Sequence, residues 1–100
     1  MSEKEDKKLY LINIAVNEDI SPDQQEALFM RHVSWFQQYF EAGKFVLIGP
    51  YSDRDRAGVI IAQTVSREEL ETILSEDAYY PNLADYEIRE FIPKMVGIWQ

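Results

Sequence analysis

The chain lacks cysteine, which excludes a disulfide scaffold, thiol catalysis and a zinc–cysteine site. It has one histidine, His32, so no multi-histidine metal site can form, and no metal is expected, although a carboxylate site stays open in principle. Positive charge is scarce. Ten lysines and arginines stand against 18 acidic residues, for a net charge of −8. Such a balance repels phosphate backbones and anionic lipid, so neither nucleic acid nor a membrane surface is expected as a partner. No apolar run approaches the roughly 20 residues that a membrane helix needs. The first residues, Met1 to Lys8, are charged and carry no apolar stretch of the signal-peptide kind, so a cytoplasmic protein is the expectation. No internal repeat, low-complexity segment or linker is visible.

One hundred residues make one domain, and 46% hydrophobic with 13% aromatic residues is a globular composition. The organisation expected is a solvated tail over residues 1–8 and a single domain over 9–100. A chain of this size buries a modest core, so self-association would add useful burial.

The stretch Leu28–Pro50 organises the rest: an amphipathic helix, a glycine stop, a short apolar strand and a Gly-Pro turn. At about 100° per residue, Phe29, His32, Val33, Trp35, Phe36, Tyr39 and Phe40 fall in one arc. The lone imidazole therefore points to the buried side. Ser21-Pro22-Asp23-Gln24 starts this helix, with Ser21 as the cap and Pro22 at the first helical position. Gly43 can take the left-handed conformation that stops it.

Leu9–Val16 and Gly58–Val65 are apolar on both faces and read as interior strands. On the first, Asn13 is a polar group that wants a partner. Ser66 caps a second helix, with Glu69 in the capping-box position and Leu70, Ile73 and Leu74 as its buried stripe. Tyr86–Ile92 alternates as a half-exposed strand until Pro93. The apolar segment Met95–Trp99 is expected to pack on a neighbour.

The order β-α-β-β-α-β predicts an α+β, ferredoxin-like protomer: a four-stranded antiparallel sheet with two helices on one face. The other face is open, and it is expected to carry Leu11, Ala15, Ile60, Ala62 and Phe91 or their opposite-parity neighbours. An apolar open face predicts a homodimer formed through it.

His32 is the first chemical candidate, because an imidazole can take or give a proton at neutral pH. Its plainer reading is a core histidine satisfied by backbone. Asp77 lies just beyond the second helix, where it could meet His32 in the cleft between the helices or serve only as a turn residue. Ser52, Asp53, Arg54, Asp55 and Arg56 could line a mouth beside Gly49-Pro50, or form a solvated loop. Tyr51, Tyr79 and Tyr80 could supply phenolic donors or simply pack. No phosphate loop and no nucleic-acid motif is present.

The Arg31-His32 pair, Gly43, the short strand ending in Gly49-Pro50, Glu76-Asp77-Ala78-Tyr79 and the strand Tyr86–Phe91 together resemble the YciI-like (YCII-related) family over about residues 9–91. Ala78 stands where that family usually has proline. The resemblance implies the dimeric α+β barrel and assigns its catalytic pair to His32 and Asp77. Some related domains are dehydrochlorinases of chlorinated aromatics.

The function expected is therefore a small-molecule enzyme without a cofactor, doing general acid/base chemistry of an elimination, dehydrochlorination or isomerisation type. Phe36, Tyr39, Gly49, Pro50, Tyr51 and Ser52 are the expected substrate contacts. The alternatives are a non-catalytic binding or structural dimer, and a monooxygenase on the same scaffold, cofactor-free or with His32 on a haem iron.

Overall fold

The computed structural model describes residues 7–97. The expected tail therefore lies outside the described residues up to position 6, as do positions 98–100 of the carboxyl-terminal segment. Six elements follow in the expected order: β1 (Lys8–Val16), α1 (Pro22–Glu41), β2 (Phe45–Pro50), β3 (Ala57–Thr64), α2 (Arg67–Leu74) and β4 (Ala84–Phe91). The four strands form one antiparallel sheet in the order β2-β3-β1-β4. The two strands that are apolar on both faces, β1 and β3, are the interior ones, and the alternating β4 lies at an edge. The fold is α+β and ferredoxin-like, with both helices over one sheet face. None of the described helices is long and apolar enough to cross a membrane.

Local sequence explains the element ends. The Ser21 hydroxyl accepts from the Gln24 N–H, and that of Ser66 accepts from the Glu69 N–H. Gly43 has φ +82°, and its N–H and that of Lys44 close the last turn of α1 on the Phe40 and Tyr39 carbonyls. The Glu69 carboxylate reaches back to the Val65 N–H and also holds the Lys44 ammonium at 2.7 Å, tying the start of α2 to the start of β2.

The core lies between sheet and helices. Tyr10, Ile12 and Ile14 of β1 alternate inward, as do Ile60 and Ala62 of β3, to meet Trp35 of α1 and Leu70, Ile73 and Leu74 of α2. Ile60 and Ala62 thus belong to the helix side and not to the open face. The β1–β3 register pairs them with Ile12 and Tyr10, which fixes their parity and sends Val59, Ile61 and Gln63 outward. Strict alternation also fails in β2. An extra residue, Val46, bulges between Phe45 and Leu47, so Phe45 and Ile48 both pair with core-facing residues of β3. The predicted helical arc is wider than the buried stripe: Phe29 and Phe40, at its margins, are half exposed. Ile92, Met95 and Val96 are strongly exposed, so the described part of the carboxyl-terminal segment packs on nothing within this chain.

Candidate active site

Three elements converge on one carboxylate. Asp77 sits in the turn after α2, where its N–H donates to the Leu74 carbonyl and its own carbonyl accepts from the Tyr80 N–H. Its side chain is fully buried. One oxygen, Oδ1, lies 2.7 Å from His32 Nδ1. The other, Oδ2, accepts from the Tyr86 hydroxyl of β4 at 2.6 Å. A buried carboxylate is costly unless donors satisfy it. Among the described residues Asp77 has these two side-chain donors and no lysine or arginine in ion-pair range. Burial, then the hydrogen bond to Asp77 and its charge, push the Tyr86 hydroxyl far above the ordinary phenol range. Tyr86 is accordingly a fixed donor.

The reach between His32 and Asp77 is set by helix packing. The Trp35 indole N–H donates to the Ile73 carbonyl at 2.9 Å, which ties the middle of α1 to the end of α2. His32 lies one turn earlier and faces the residue just beyond α2. Its ring sits among Trp35, Phe36 and Tyr79, with centroids 5.1–5.5 Å away. With Nδ1 on a carboxylate, the bond orients the ring so that neutral His32 carries its proton on Nδ1. Nε2, which has no protein partner among the described residues, is then left with its lone pair.

His32 lines a cavity of about 530 Å³ between α1, the end of β2 and the β2–β3 loop. Its walls are mainly apolar: Ile14, Phe29, Phe36, Ile48 and Ile60. Gly49, Pro50 and Gly58 form the strand side, where the backbones run close. A Cβ on Gly58 would lie 2.7 Å from the Gly49 carbonyl oxygen. The mouth is polar, lined by Tyr51, Arg54, Asp55 and Arg56. No group of three or more acidic or histidine side chains among the described residues could hold a metal ion.

Of the residues expected to contact a substrate, Phe36, Gly49, Pro50 and Tyr51 line this cavity, but Tyr39 and Ser52 do not. Tyr39 shares a helix face with His32 but lies seven residues on, about 10 Å along the axis. Its hydroxyl donates to Glu76 and its ring packs on Trp35 and Phe45. That hydrogen bond to Glu76, with burial second, raises its pKa to about 12. Ser52 lies in the same loop as Tyr51 and Arg54, yet those two border the cavity and it does not.

Two residues of the site were not singled out by sequence reasoning. Tyr86 had a signal: the β4 alternation puts it on the same face as Ile88, and a phenol on the core side of a strand needs an acceptor. Gln25 had one too, since it precedes His32 by seven residues and so shares its face. Its Nε2 donates to the Tyr79 hydroxyl oxygen at 3.1 Å, while its Oε1 is buried without a partner.

Among solved structures, the chain is similar to SnoaB, a cofactor-independent oxygenase from Streptomyces nogalater. A mutant form of SnoaB matches with a TM-score of 0.54 at 18% identity, covering 91% of this chain and 96% of that one. A second SnoaB structure matches with a TM-score of 0.51 at 19% identity and the same coverage. At that identity the likeness shows the fold alone. Comparison with curated protein sequences finds no match. The sequence profile of the YCII-related domain, however, matches residues 8–92, spanning every strand and both helices together with His32, Asp77 and Tyr86. The chain belongs to the YCII-related domain family.

Proposed function

We propose that this protein is a small-molecule enzyme in which His32 is the general base and acid and Asp77 its orienting partner. The observation that carries the reading is the buried Asp77 carboxylate on His32 Nδ1, with the ring bordering an apolar cavity. When His32 is neutral, Nε2 holds a lone pair at that cavity. It takes a proton from carbon beside a carbonyl, and the imidazolium so formed is stabilised by Asp77 at 2.7 Å. The proton then returns to a neighbouring carbon, which is isomerisation. Alternatively the electron pair expels a leaving group, which is elimination, and the proton leaves with that group or to solvent. The apolar walls favour cyclic or aromatic substrates.

The test is proton exchange. Wild type is incubated with a panel of cyclic ketones and lactones in D2O, and loss of the α-proton signal is followed by NMR. His32→Gln lowers exchange by about 10²- to 10⁴-fold with an unchanged circular dichroism spectrum. Exchange that survives this substitution removes His32 from the mechanism.

A second reading is favoured by the fold shared with a cofactor-independent oxygenase. The first step is the same proton abstraction by His32, but the carbanion then adds to dioxygen, reducing it to a carbon-bound peroxide that is protonated and loses water to leave a new carbonyl. Oxygen consumption that depends on both substrate and His32 separates it from isomerisation and elimination.

A further inference from the structure

Asp77 divides its hydrogen bonding between two donors, and proton transfer at Nε2 calls on only one of them. Oδ1 meets His32 Nδ1 at 2.7 Å, and Oδ2 accepts from the Tyr86 hydroxyl at 2.6 Å. The carboxylate is fully buried, and among the described residues no lysine or arginine lies in ion-pair range of it. In such a site a phenol this close takes up a large share of the negative charge.

The fold holds the phenol in that place. The β1–β4 register pairs Tyr86 with Ile14 and so turns it to the helix side. The turn that joins Asp77 to β4 is closed by the Tyr80 N–H on the Asp77 carbonyl and by the Leu83 N–H on the Tyr79 carbonyl. The Tyr80 ring packs on the Tyr86 ring, with centroids 5.4 Å apart. Burial and the carboxylate keep the hydrogen on the phenol, so Tyr86 stays a donor.

The consequence falls on His32. When Nε2 takes a proton, the charge on Asp77 stabilises the imidazolium, and a second donor on the same carboxylate weakens that hold. Acid/base catalysis needs a group that both takes the proton and gives it up. A carboxylate with the imidazole as its sole partner favours the charged ring too strongly for the second step. The other ionisable groups nearby are few. Tyr79 packs on the ring with its hydroxyl oxygen accepting from Gln25, Glu76 is engaged by the Tyr39 hydroxyl, and Arg54, Asp55 and Arg56 stand at the cavity mouth. The strands β1, β2 and β3 line the cavity with uncharged residues.

We propose that Tyr86 is a positioning residue that, through Asp77, sets how firmly His32 holds its proton, sharing the carboxylate so that the imidazolium can release what it has taken. The proposal rests on reading His32 as the base and acid of the site, but its first test needs no turnover.

With one histidine in the chain, ring NMR gives the titration midpoint of His32 directly. In Tyr86→Phe the midpoint moves up by about 0.5–1 pH unit. Placing 3-fluorotyrosine, a stronger donor of nearly the same shape, at position 86 moves it down. A phenol that only filled space would not give opposed shifts, and the fluorinated protein decides the matter alone if Tyr86→Phe does not fold. In the D2O assay the acid limb of the exchange profile moves with the ring midpoint in each protein. The proposal is overturned if Tyr86→Phe leaves the midpoint in place or lowers it, if 3-fluorotyrosine fails to lower it, or if the wild-type ring takes no proton while the protein stays folded. His32→Gln keeps the two readings apart. If the midpoints shift as expected but exchange does not depend on His32, the acid/base reading fails and the coupling stands. If exchange depends on His32 but the midpoints do not move, the role of Tyr86 fails alone.

Discussion

At the scale of single residues, the site is a chain of three side chains in which Asp77 is the hinge. Its two oxygens have separate tasks, Oδ1 toward His32 and Oδ2 toward Tyr86, and neither donor can replace the other. Tyr86→Phe leaves half of a buried carboxylate without a donor. The expected cost is about 1–3 kcal/mol, seen as a drop of several degrees in the thermal midpoint. The His32 ring stays oriented, because its own bond to Asp77 is untouched. Asp77→Asn does the opposite: an amide can donate to Nδ1 and shift the ring proton to Nε2. With one histidine in the chain, ring ¹⁵N shifts report this without ambiguity. Wild type and Tyr86→Phe should both have a protonated Nδ1 and a bare Nε2 at high pH, and Asp77→Asn should lose that pattern. A wild-type ring protonated on Nε2 would contradict the proposed base.

At the scale of elements, the joint between α2 and β2 is an ion pair with a defined pH signature. Lys44, and then the Val65 N–H, hold the Glu69 carboxyl below its ordinary pKa. A depressed folded-state pKa means that the stabilisation is complete above the unfolded value of 4.5 and is lost as pH falls through the lower folded one. Glu69→Gln should therefore lower stability at neutral pH by at most about 1 kcal/mol, read as a lower thermal midpoint, since both side chains are about a third exposed. The gap from wild type should narrow as the pH falls below 4.5. A gap independent of pH would assign the effect to helix capping alone. The elements themselves were legible because local rules decide them. Ser21-Pro22 and Ser66 begin helices, Gly43 ends one, and strands apolar on both faces become interior. What depends on pairing was not legible. The Val46 bulge and the inward parity of Ile60 and Ala62 follow from register between strands, which no single strand specifies. The site divides in the same way. His32 and Asp77 could be named as candidates, but their 2.7 Å approach depends on how Trp35 seats α1 on α2. Tyr39 shows the limit of a helical wheel, which gives an angle and not a position along the axis.

At the scale of the whole molecule, the helices cover one side of the sheet and leave the other to be accounted for. That open side carries Leu9, Leu11 and Ala15 of β1, Ile61 of β3, Leu47 of β2 and Phe91 of β4, as the strand registers require. Its polar residues largely satisfy one another: Asn13 receives the Tyr51 hydroxyl and donates to Glu87, and Glu87 pairs with Arg89. A face that is apolar and internally hydrogen-bonded can dry without stranding polar groups, and a second copy of the same sheet offers the matching surface. The protein should therefore be a dimer in solution, with a mass by light scattering about twice the 11.8 kDa of one chain and a thermal midpoint that rises with concentration. Ile61 lies between Leu47 and Leu11, and Ile61→Lys places a charge at the centre of that face. It should give a monomer of lower stability with the same far-ultraviolet spectrum. The His32 cavity lies on the helix side, so His32–Asp77 coupling, read from the ring ¹⁵N shifts, should survive in the monomer. A wild type that stays monomeric at tens of micromolar would mean that the open face has another occupant, and a ring pattern lost together with the dimer would mean that the two sides of the sheet are coupled.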